Sequence, residues 1–212
     1  MKKLRTLFTV LLLTTGCQAQ DNRTKLDVLQ HVGGPCEGCE AIHEYGEKTL
    51  SPVDTLPAFG KPGTDKLKIT GTVYQQDGVT PARGVILYIY HTDETGLYPK
   101  RGNETGWARR HGYLRGWIRT GPDGRYTFYT LRPHTYPSRT EPAHIHITVK
   151  EPDKNAYYLD DFLFDDDPLL SQKIRASRAN RGGSGLVSLQ KQGDLLMAER
   201  DIILGRNIPG YD

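Results

Sequence analysis

Two histidines separated by one residue are the feature of this sequence that most directly suggests chemistry. They are His144 and His146, in the stretch "EPAHIHITV". The residues around them favour a β-strand, and side chains alternate faces along a strand, so both imidazoles are predicted to point the same way. Neutral imidazole is a common metal ligand, and a shared cation would relieve the cost of burying two such rings together. The spacing therefore suggests a metal site, with a chance pair as the alternative.

Two histidines do not complete a metal site, and the sequence offers two kinds of further ligand. The carboxylates of "DDFLFDDDP" could complete a facial triad, although acids before a proline are also typical of a loop or a helix cap. The other donors are Tyr98 and Tyr136, since a strongly Lewis-acidic cation lowers the pKa of a phenol and phenolates favour trivalent iron. A packing role for either tyrosine is the alternative, and His134 is the reserve ligand if Tyr136 is not one.

The order of four short motifs is similar to that of the intradiol ring-cleavage dioxygenases. The motifs are "GLYP" after a strand, "RTGPDGRYTFYTLRP", "YP" and "PAHIH", within a resemblance that runs from about residue 66 to residue 167. It implies cleavage of a catechol-type aromatic diol by O2 to a muconate-type diacid. It also implies a non-haem Fe(III) whose protein ligands are Tyr98, Tyr136, His144 and His146, and it makes Tyr136 the axial ligand that accepts a substrate proton.

Three other residues are assigned to the site from the same resemblance and from their charge. Glu141 stands where the family usually has an arginine, and Arg139 is expected to take over its role in catalysis and substrate binding. Arg115 follows an arginine-rich loop and is expected to face an acidic substrate or product. Asp161 stands where relatives have a glutamine that helps to orient the groups around the metal, and it is assigned to the substrate site.

The pattern of strands and turns predicts an all-β fold, a β-sandwich of the transthyretin-like or intradiol dioxygenase type with long loops and little helix. Strands are expected in "KLKITGTVYQ", "VILYIYHTD" and "HIHITVK", and hairpins around Pro122-Asp123-Gly124 and Gln192-Gly193-Asp194. One short helix is expected near "DPLLSQKIRA", capped by Asp167 and starting at Pro168. The sandwich is assigned to residues 66–212, preceded by a poorly periodic lead-in over 20–65.

The first 19 residues are typical of an export signal, with a basic start and a short apolar run. Cys17 follows Thr15-Gly16 as in a lipobox, so its acylation would make the protein a membrane-anchored lipoprotein, whereas cleavage after Ala19 would release it. Three of the 28 basic residues lie in this leader, which leaves 25 basic and 25 acidic residues beyond it. A balanced charge gives no electrostatic support for nucleic-acid binding.

Cys36 and Cys39 form a C-x-x-C pair in the lead-in, flanked by His31 and His43. In an exported protein an even number of cysteines beyond Cys17 favours a disulfide. The alternative is a zinc site with the two histidines, although the spacing is tighter than in typical zinc sites.

Two other functional classes stay open at this point. A non-catalytic cell-surface β-sandwich module would share the strands, because a fold does not fix a function. A hydrolase or oxygenase using another metal on the His144 and His146 pair would take Glu141 as a ligand in place of a tyrosine. The resemblance also suggests a homodimer, since relatives often dimerise.

Overall fold

Two facing β-sheets make up most of the structure, a computed structural model that describes residues 29–212. The strands, in chain order, are β1 (Val53–Thr55), β2 (Lys66–Tyr74), β3 (Ile86–His91), β4 (Arg115–Arg119), β5 (Arg125–Leu131), β6 (His144–Lys150), β7 (Tyr157–Tyr158), β8 (Phe162–Phe164), β9 (Leu186–Val187), β10 (Gln190–Gln192), β11 (Leu195–Glu199) and β12 (Ile202–Ile203). The helical segments of this part of the chain are short: a 3₁₀ turn at Cys39–His43, α1 at Ala108–His111 and α2 at Gln172–Ala176. The all-β sandwich predicted from the sequence is confirmed.

The first sheet has the order β1-β5-β2-β11-β10, with β12 also paired to β2. Its central strand β2 alternates strictly between buried and half-buried residues, as expected for a strand with one face on the core. Leu67, Ile69 and Val73 supply that buried face. The C-terminal hairpin of β10 and β11 forms as predicted, and β11 then pairs with β2 in parallel.

The second sheet has the order β4-β3-β6-β8-β9, with β7 also paired to β6, and both of its faces are covered. Leu87 and Ile89 of β3 face the core between the sheets, whereas Tyr88 and Tyr90 pack on the opposite face against Ile42 of the 3₁₀ turn. This outer layer explains why β3 is buried along its whole length. It also means that part of the lead-in packs on the sheet that carries the two histidines.

The expected hairpin around Pro122-Asp123-Gly124 is wrong in one respect. The strands on either side of the turn are β4 and β5, and they belong to different sheets. The turn is held by Thr120, which donates to the carbonyl of Ala82, and by Gly124, whose carbonyl accepts from the amide of Val73. The chain therefore crosses from one sheet to the other at this point, which local turn chemistry alone does not reveal.

The expected start of the short helix is also wrong. Helix α2 begins after Ser171, whose hydroxyl accepts from the amide of Ile174. Asp167 instead accepts from the amide of Leu169 with one oxygen and from the amide of Ala143 with the other. A carboxylate that makes these two bonds is tied to the start of β6 and does not cap a helix.

The predicted export signal and the acylation of Cys17 lie outside the described residues. Within residues 29–212, no helix has the length and apolar character needed to span a bilayer.

Candidate metal centre

The histidine pair lies on β6 with both rings on the outer face of the second sheet. Ile145 and Ile147, which alternate with the histidines, belong to the core between the sheets. The Nδ1–H of His144 donates to the carbonyl of Pro142 over 2.8 Å, and Nδ1 of His146 lies 3.2 Å from Oδ1 of Asp161. Because each Nδ1 has an acceptor, the lone pair of each Nε2 is left facing the same point.

Four donor atoms converge at that point, and they come from the four residues that the sequence singled out. The hydroxyl oxygens of Tyr98 and Tyr136 are 2.7 Å apart, and the Nε2 atoms of the two histidines are 3.2 Å apart. These four atoms form a ring, and its other two sides are the contacts between tyrosines and histidines. Tyr98 Oη lies 2.9 Å from His146 Nε2, and Tyr136 Oη lies 3.1 Å from His144 Nε2.

Two loops that are tied together bring the tyrosines to the histidines. Tyr98 follows β3 and Tyr136 follows β5, and the hydroxyl of Thr92 bridges the loops by donating to the carbonyl of His134 over 2.7 Å. Gly96 has a φ of 79°, and a β-carbon there would lie 2.0 Å from the carbonyl oxygen of Thr135. Only glycine permits so close an approach, so this residue sets the spacing of the two tyrosine loops.

Counting protons shows that the four donors suit a cation. Burial lowers the pKa of His144, which favours its neutral ring, and raises the pKa of Tyr98 and Tyr136, which keeps both phenols protonated when no cation is near. With neutral imidazole rings, only the two phenolic protons are available to the four close contacts. Two of these four contacts therefore place one lone pair against another. A cation at the centre removes this repulsion and lowers the pKa of each phenol.

The spacing of the donors fits a small metal ion as well. Ligands about 2.1 Å from a metal and at right angles to each other lie about 3 Å apart, close to the four sides of the ring. Two phenol oxygens make the donor set hard and, once ionised, doubly anionic, which suits Fe(III) better than a soft or monovalent ion. The residues present therefore fit the iron that the resemblance implies.

Asp161 is close to the metal ligands but not among the convergent donor atoms. One donor atom each from His144, His146 and Asp161 falls within 4.8 Å of the others. The carboxylate of Asp161, however, contacts Nδ1 of His146, on the far side of the ring from Nε2. Its position is that of a group that orients a ligand, rather than the substrate contact expected from the sequence.

A cavity of about 400 Å³ opens onto the convergent donors and is largely aromatic. Its lining comprises Glu37, Tyr90, Tyr98, Trp107, Arg110, His111, Tyr136, His146 and Tyr158. The ring of Tyr90 stacks between those of His146 and His111, with ring centroids 4.4 Å and 3.7 Å away. A flat aromatic molecule that reached the donors would lie among flat side chains.

The structure does not bring the two predicted substrate arginines into this cavity. Nη1 of Arg115 lies 2.6 Å from Oε2 of Glu44, and its guanidinium packs over the ring of Trp117, so its charge is already paired. Arg139 is exposed and lines a separate cavity of about 370 Å³ together with His134. Neither arginine is placed to contact a diol at the four donors.

The reserve ligands considered from the sequence also lie away from the centre. Nδ1 of His134 donates to the carbonyl of Thr135, and the ring is exposed. Glu141 is exposed and does not join the His144, His146 and Asp161 group, the one such cluster among the described residues. This placement removes the structural basis for Glu141 as a ligand.

Three residues that line the cavity were not assigned to the site from the sequence. Arg110 lines the cavity, although the arginine-rich loop around it gave no reason to prefer it over Arg115. His111 lines it too, with Nδ1 2.8 Å from the hydroxyl of Tyr88 and with burial lowering its pKa to about 4. Glu37 comes from the lead-in, where no sequence signal pointed to the site.

Cys36 and Cys39 are joined by a disulfide, with their Cα atoms 5.6 Å apart. Their sulfurs are therefore not available as the zinc ligands considered as the alternative. The bond closes the short loop that carries Glu37.

Comparisons with known proteins agree with the family that the motifs suggest. A family model described as Dioxygenase matches residues 43–199. The chain is 27% identical over 138 residues to the protocatechuate 3,4-dioxygenase beta chain of Burkholderia cepacia, which covers 60% of this chain and 58% of that one. It is 32% identical over 120 residues to catechol 1,2-dioxygenase 1 of Acinetobacter lwoffii, which covers 49% and 37%. The chain thus spans little more than half the length of the first of these curated relatives and less of the second.

Solved structures share the fold. The dioxygenase domain of a dioxygenase carbohydrate-binding protein fusion from Streptomyces sp. SirexAA-E superposes with a TM-score of 0.57 at 24% identity, over 80% of this chain and 95% of that one. Catechol 1,2-dioxygenase from Acinetobacter sp. ADP1 superposes with a TM-score of 0.56 at 18% identity, over 74% and 58%. At these identities the likeness supports the sandwich and leaves the substrate open.

Proposed function

The chain belongs to the intradiol ring-cleavage dioxygenase family, and from this premise we propose that it cleaves a catechol-type diol with O2, using Fe(III). The product would be a muconate-type diacid, formed by cleavage between the two hydroxylated carbons. The observation that carries the proposal is the closed ring of two phenol oxygens and two imidazole nitrogens, 2.7 to 3.2 Å apart, at the end of an aromatic cavity.

Tyr98, Tyr136, His144 and His146 would hold the iron. When bound, Fe(III) would supply the electron-accepting centre that makes a catecholate reactive towards O2. The protein's own contribution is to fix these four side chains before substrate arrives. Asp161 and the carbonyl of Pro142 do this for the two histidines, because each accepts the Nδ1 proton and so fixes the orientation of the ring.

Tyr136 is the residue best placed to take a proton from the diol. Its hydroxyl belongs to the donor ring and its side chain lines the cavity, as those of Tyr98 do, and the family resemblance assigns the proton-accepting role to Tyr136. A phenolate within hydrogen-bond reach of the incoming hydroxyl is a suitable base for its proton. Binding of the diol would therefore leave Tyr136 protonated.

The cavity would hold the diol by its ring. Tyr90, Trp107 and Tyr158 present aromatic surface to it, and offset or edge-to-face contacts between rings contribute about 0.5–1.5 kcal/mol each. A planar substrate held on these walls would be fixed in orientation before it reaches the four donors.

The proposal is tested by supplying catechol and ¹⁸O2 to the Fe(III)-loaded protein and following oxygen consumption and product mass. We expect one O2 consumed per diol and both labelled atoms in a ring-opened diacid. His146→Ala, which removes one of the four donors, should bind little iron and consume no oxygen. Oxygen uptake that persists in this variant, or a product without both labels, would contradict the proposal.

We further propose that the protein works after export, and the Cys36–Cys39 disulfide supports this, because such bonds persist in oxidising compartments. Labelled palmitate incorporated by the full chain but not by Cys17→Ser would establish the lipid anchor. Export of the full chain without incorporation of palmitate would indicate a released protein instead.

A further inference from the structure

The disulfide-closed loop of residues 36–39 contributes one residue, Glu37, to the lining of the aromatic cavity. Glu37 lies on the lining, and Gly38 has a φ of 84°. A β-carbon at Gly38 would lie 3.1 Å from Nε2 of His111 and 3.3 Å from the ring of Trp107, so the backbone here packs directly on two lining residues. The disulfide and the packing of Gly38 together constrain the backbone that carries Glu37.

Glu37 pairs with the cation that lines the cavity. The guanidinium of Arg110 forms an ion pair with the carboxylate of Glu37, and both side chains are mostly exposed at 63% and 72%. Arg110 also packs over the ring of Trp107, with its guanidinium carbon 5.6 Å from the ring centroid. The guanidinium on the cavity lining is therefore already paired with a carboxylate.

Several carboxylates lie near the Tyr158 wall of the cavity. Burial raises the pKa of the Tyr158 phenol on this wall, Glu37 and Asp161 raise it further, and Arg110 lowers it. Arg115, which could have balanced these charges, is paired with Glu44 outside the cavity.

From these contacts we infer that the disulfide loop is a specificity element, and that Glu37 makes the site select catechols without an acidic substituent. This inference rests on the proposed function, since it concerns the same cavity. A carboxylate on the substrate ring would have to displace Glu37 from Arg110 or lie beside it unpaired. A neutral ring has neither cost and needs only the aromatic walls.

Substitution of Glu37→Gln tests the inference, because the amide keeps the shape of the side chain and removes its charge. Dissociation constants for catechol and for 3,4-dihydroxybenzoate would be measured without oxygen on the Fe(III)-loaded protein, and kcat/KM for both with oxygen. We expect the unsubstituted protein to favour catechol. The substitution should shift the ratio of the two dissociation constants towards the carboxylated diol by about threefold, the size usual for an exposed ion pair.

Glu47→Gln is the matched control, because Glu47 carries the same charge, is exposed and lies outside the cavity lining. Glu47→Gln should leave the ratio of the two dissociation constants unchanged. An equal shift in both variants would reduce the effect to net charge and overturn the role of Glu37.

A second variant, Cys36→Ser with Cys39→Ser, tests the role of the disulfide. Release of the loop should move the ratio of the two dissociation constants in the same direction as Glu37→Gln. The iron content of the variant checks that the four metal donors are intact. An unchanged ratio would show that the bond does not hold the wall in place.

These measurements separate a failure of the specificity inference from a failure of the proposed function. If both diols bind and react but Glu37→Gln leaves their ratio unchanged, or if the unsubstituted protein favours the carboxylated diol, the specificity inference is wrong and the function stands. If neither diol binds, the proposed function is wrong and the inference falls with it.

Discussion

At the scale of single residues, the orientation of the two histidines follows from the alternation of side chains along a strand. His144 and His146 had to share a face once the strand was recognised, and the structure places their Nε2 atoms 3.2 Å apart. Tyr98 and Tyr136 could not be placed in this way, because loops have no fixed period. Their assignment depended on the order of short motifs, and the structure brings both hydroxyls to the histidines.

The arginines show the limit of prediction at this scale. The charge of Arg139 and Arg115 and their positions along the chain favour a role in substrate binding, yet a long side chain goes to whichever partner the fold supplies. For Arg115 that partner is Glu44, which is 71 residues away in sequence. Arg110 reaches the cavity because the short helix α1 directs it there, and no local pattern distinguished it from its neighbours.

Replacing Tyr136 with phenylalanine should remove one anionic ligand and the proposed proton acceptor. We expect the visible absorption of the Fe(III) protein to weaken and kcat with catechol to fall by about a hundredfold, the lower end for loss of a general base. Visible spectra and steady-state kinetics measure the two effects. Tyr129→Phe is the control, since Tyr129 lies on β5 of the other sheet, and an equal loss in both variants would contradict the role of Tyr136.

Replacing Asp161 with asparagine should weaken iron binding without removing a donor atom. The amide accepts less strongly from Nδ1 of His146, so the ring is a poorer ligand, and such changes typically cost 10- to 100-fold in metal affinity. Competition with a chelator measures the affinity. Asp65→Asn, an exposed change outside the centre, should leave it unaltered, and an affinity retained in Asp161→Asn would show that the contact does not orient the ligand.

At the scale of elements, the longer strands were predictable and their partners were not. Strands β2, β3 and β6 carry clear alternation or dense apolar content, and all three form where expected. The turn between β4 and β5 has the residues of a hairpin, but whether a turn joins neighbours or crosses between sheets depends on contacts distant in sequence. The same holds for β1, a three-residue strand in a segment that reads as loop.

Strand β1 joins the two sheets through a buried carboxylate. It pairs in parallel with β5 of the first sheet, while Oδ2 of Asp54 accepts from the backbone amide of Trp117 on β4 of the second sheet over 2.9 Å. Oδ1 of Asp54 also accepts from Lys48 over 2.6 Å. A buried amide at a sheet edge is thereby satisfied by a side chain.

Asp54→Ala should therefore lower the free energy of unfolding by about 2 kcal/mol, since it leaves the amide of Trp117 buried without an acceptor. Urea unfolding of the iron-free protein measures the change. Lys48→Ala, which removes only the half-exposed partner, should cost less than about 1 kcal/mol. Equal losses in the two variants would mean that the ion pair, and not the bond between the sheets, gives Asp54 its effect.

At the scale of the whole molecule, the lead-in is the part that sequence reasoning described least well. It lacks periodicity, yet it contributes β1 to one sheet, covers the outer face of the other and supplies Glu37 to the cavity. The family match begins at residue 43, so the disulfide loop lies before the matched region. Packing against distant strands, which a local pattern does not encode, gives this segment its structure.

A buried histidine between the sheets makes the stability of the whole sandwich depend on pH. His91 is fully buried, its Nδ1–H donates to the carbonyl of Thr92, and its Nε2 accepts from the hydroxyl of Thr130 on the other sheet. Burial lowers its pKa to about 4, from 6.5. Between these values the unfolded chain takes up a proton that the folded protein does not, so stability falls as the pH is lowered.

We therefore expect the free energy of unfolding to be flat above about pH 6.5 and to drop towards pH 4, with His91 contributing up to about 3 kcal/mol. Urea unfolding of the iron-free protein at several pH values measures this slope. His91→Gln should be less stable at pH 7.5 but should show a shallower dependence of stability on pH. Part of that dependence should remain, because burial also lowers the pKa of His111 and of His144. A slope as steep in His91→Gln would assign the pH dependence to other groups.

We have proposed that two tyrosines and two histidines form one ferric centre that is open to a catechol. The most direct test is the visible absorption spectrum of the Fe(III)-loaded protein, recorded without oxygen before and after addition of catechol. We expect a broad band from the phenolate ligands that shifts when the diol binds. A colourless protein with bound iron, or a band that catechol leaves unchanged, would contradict it.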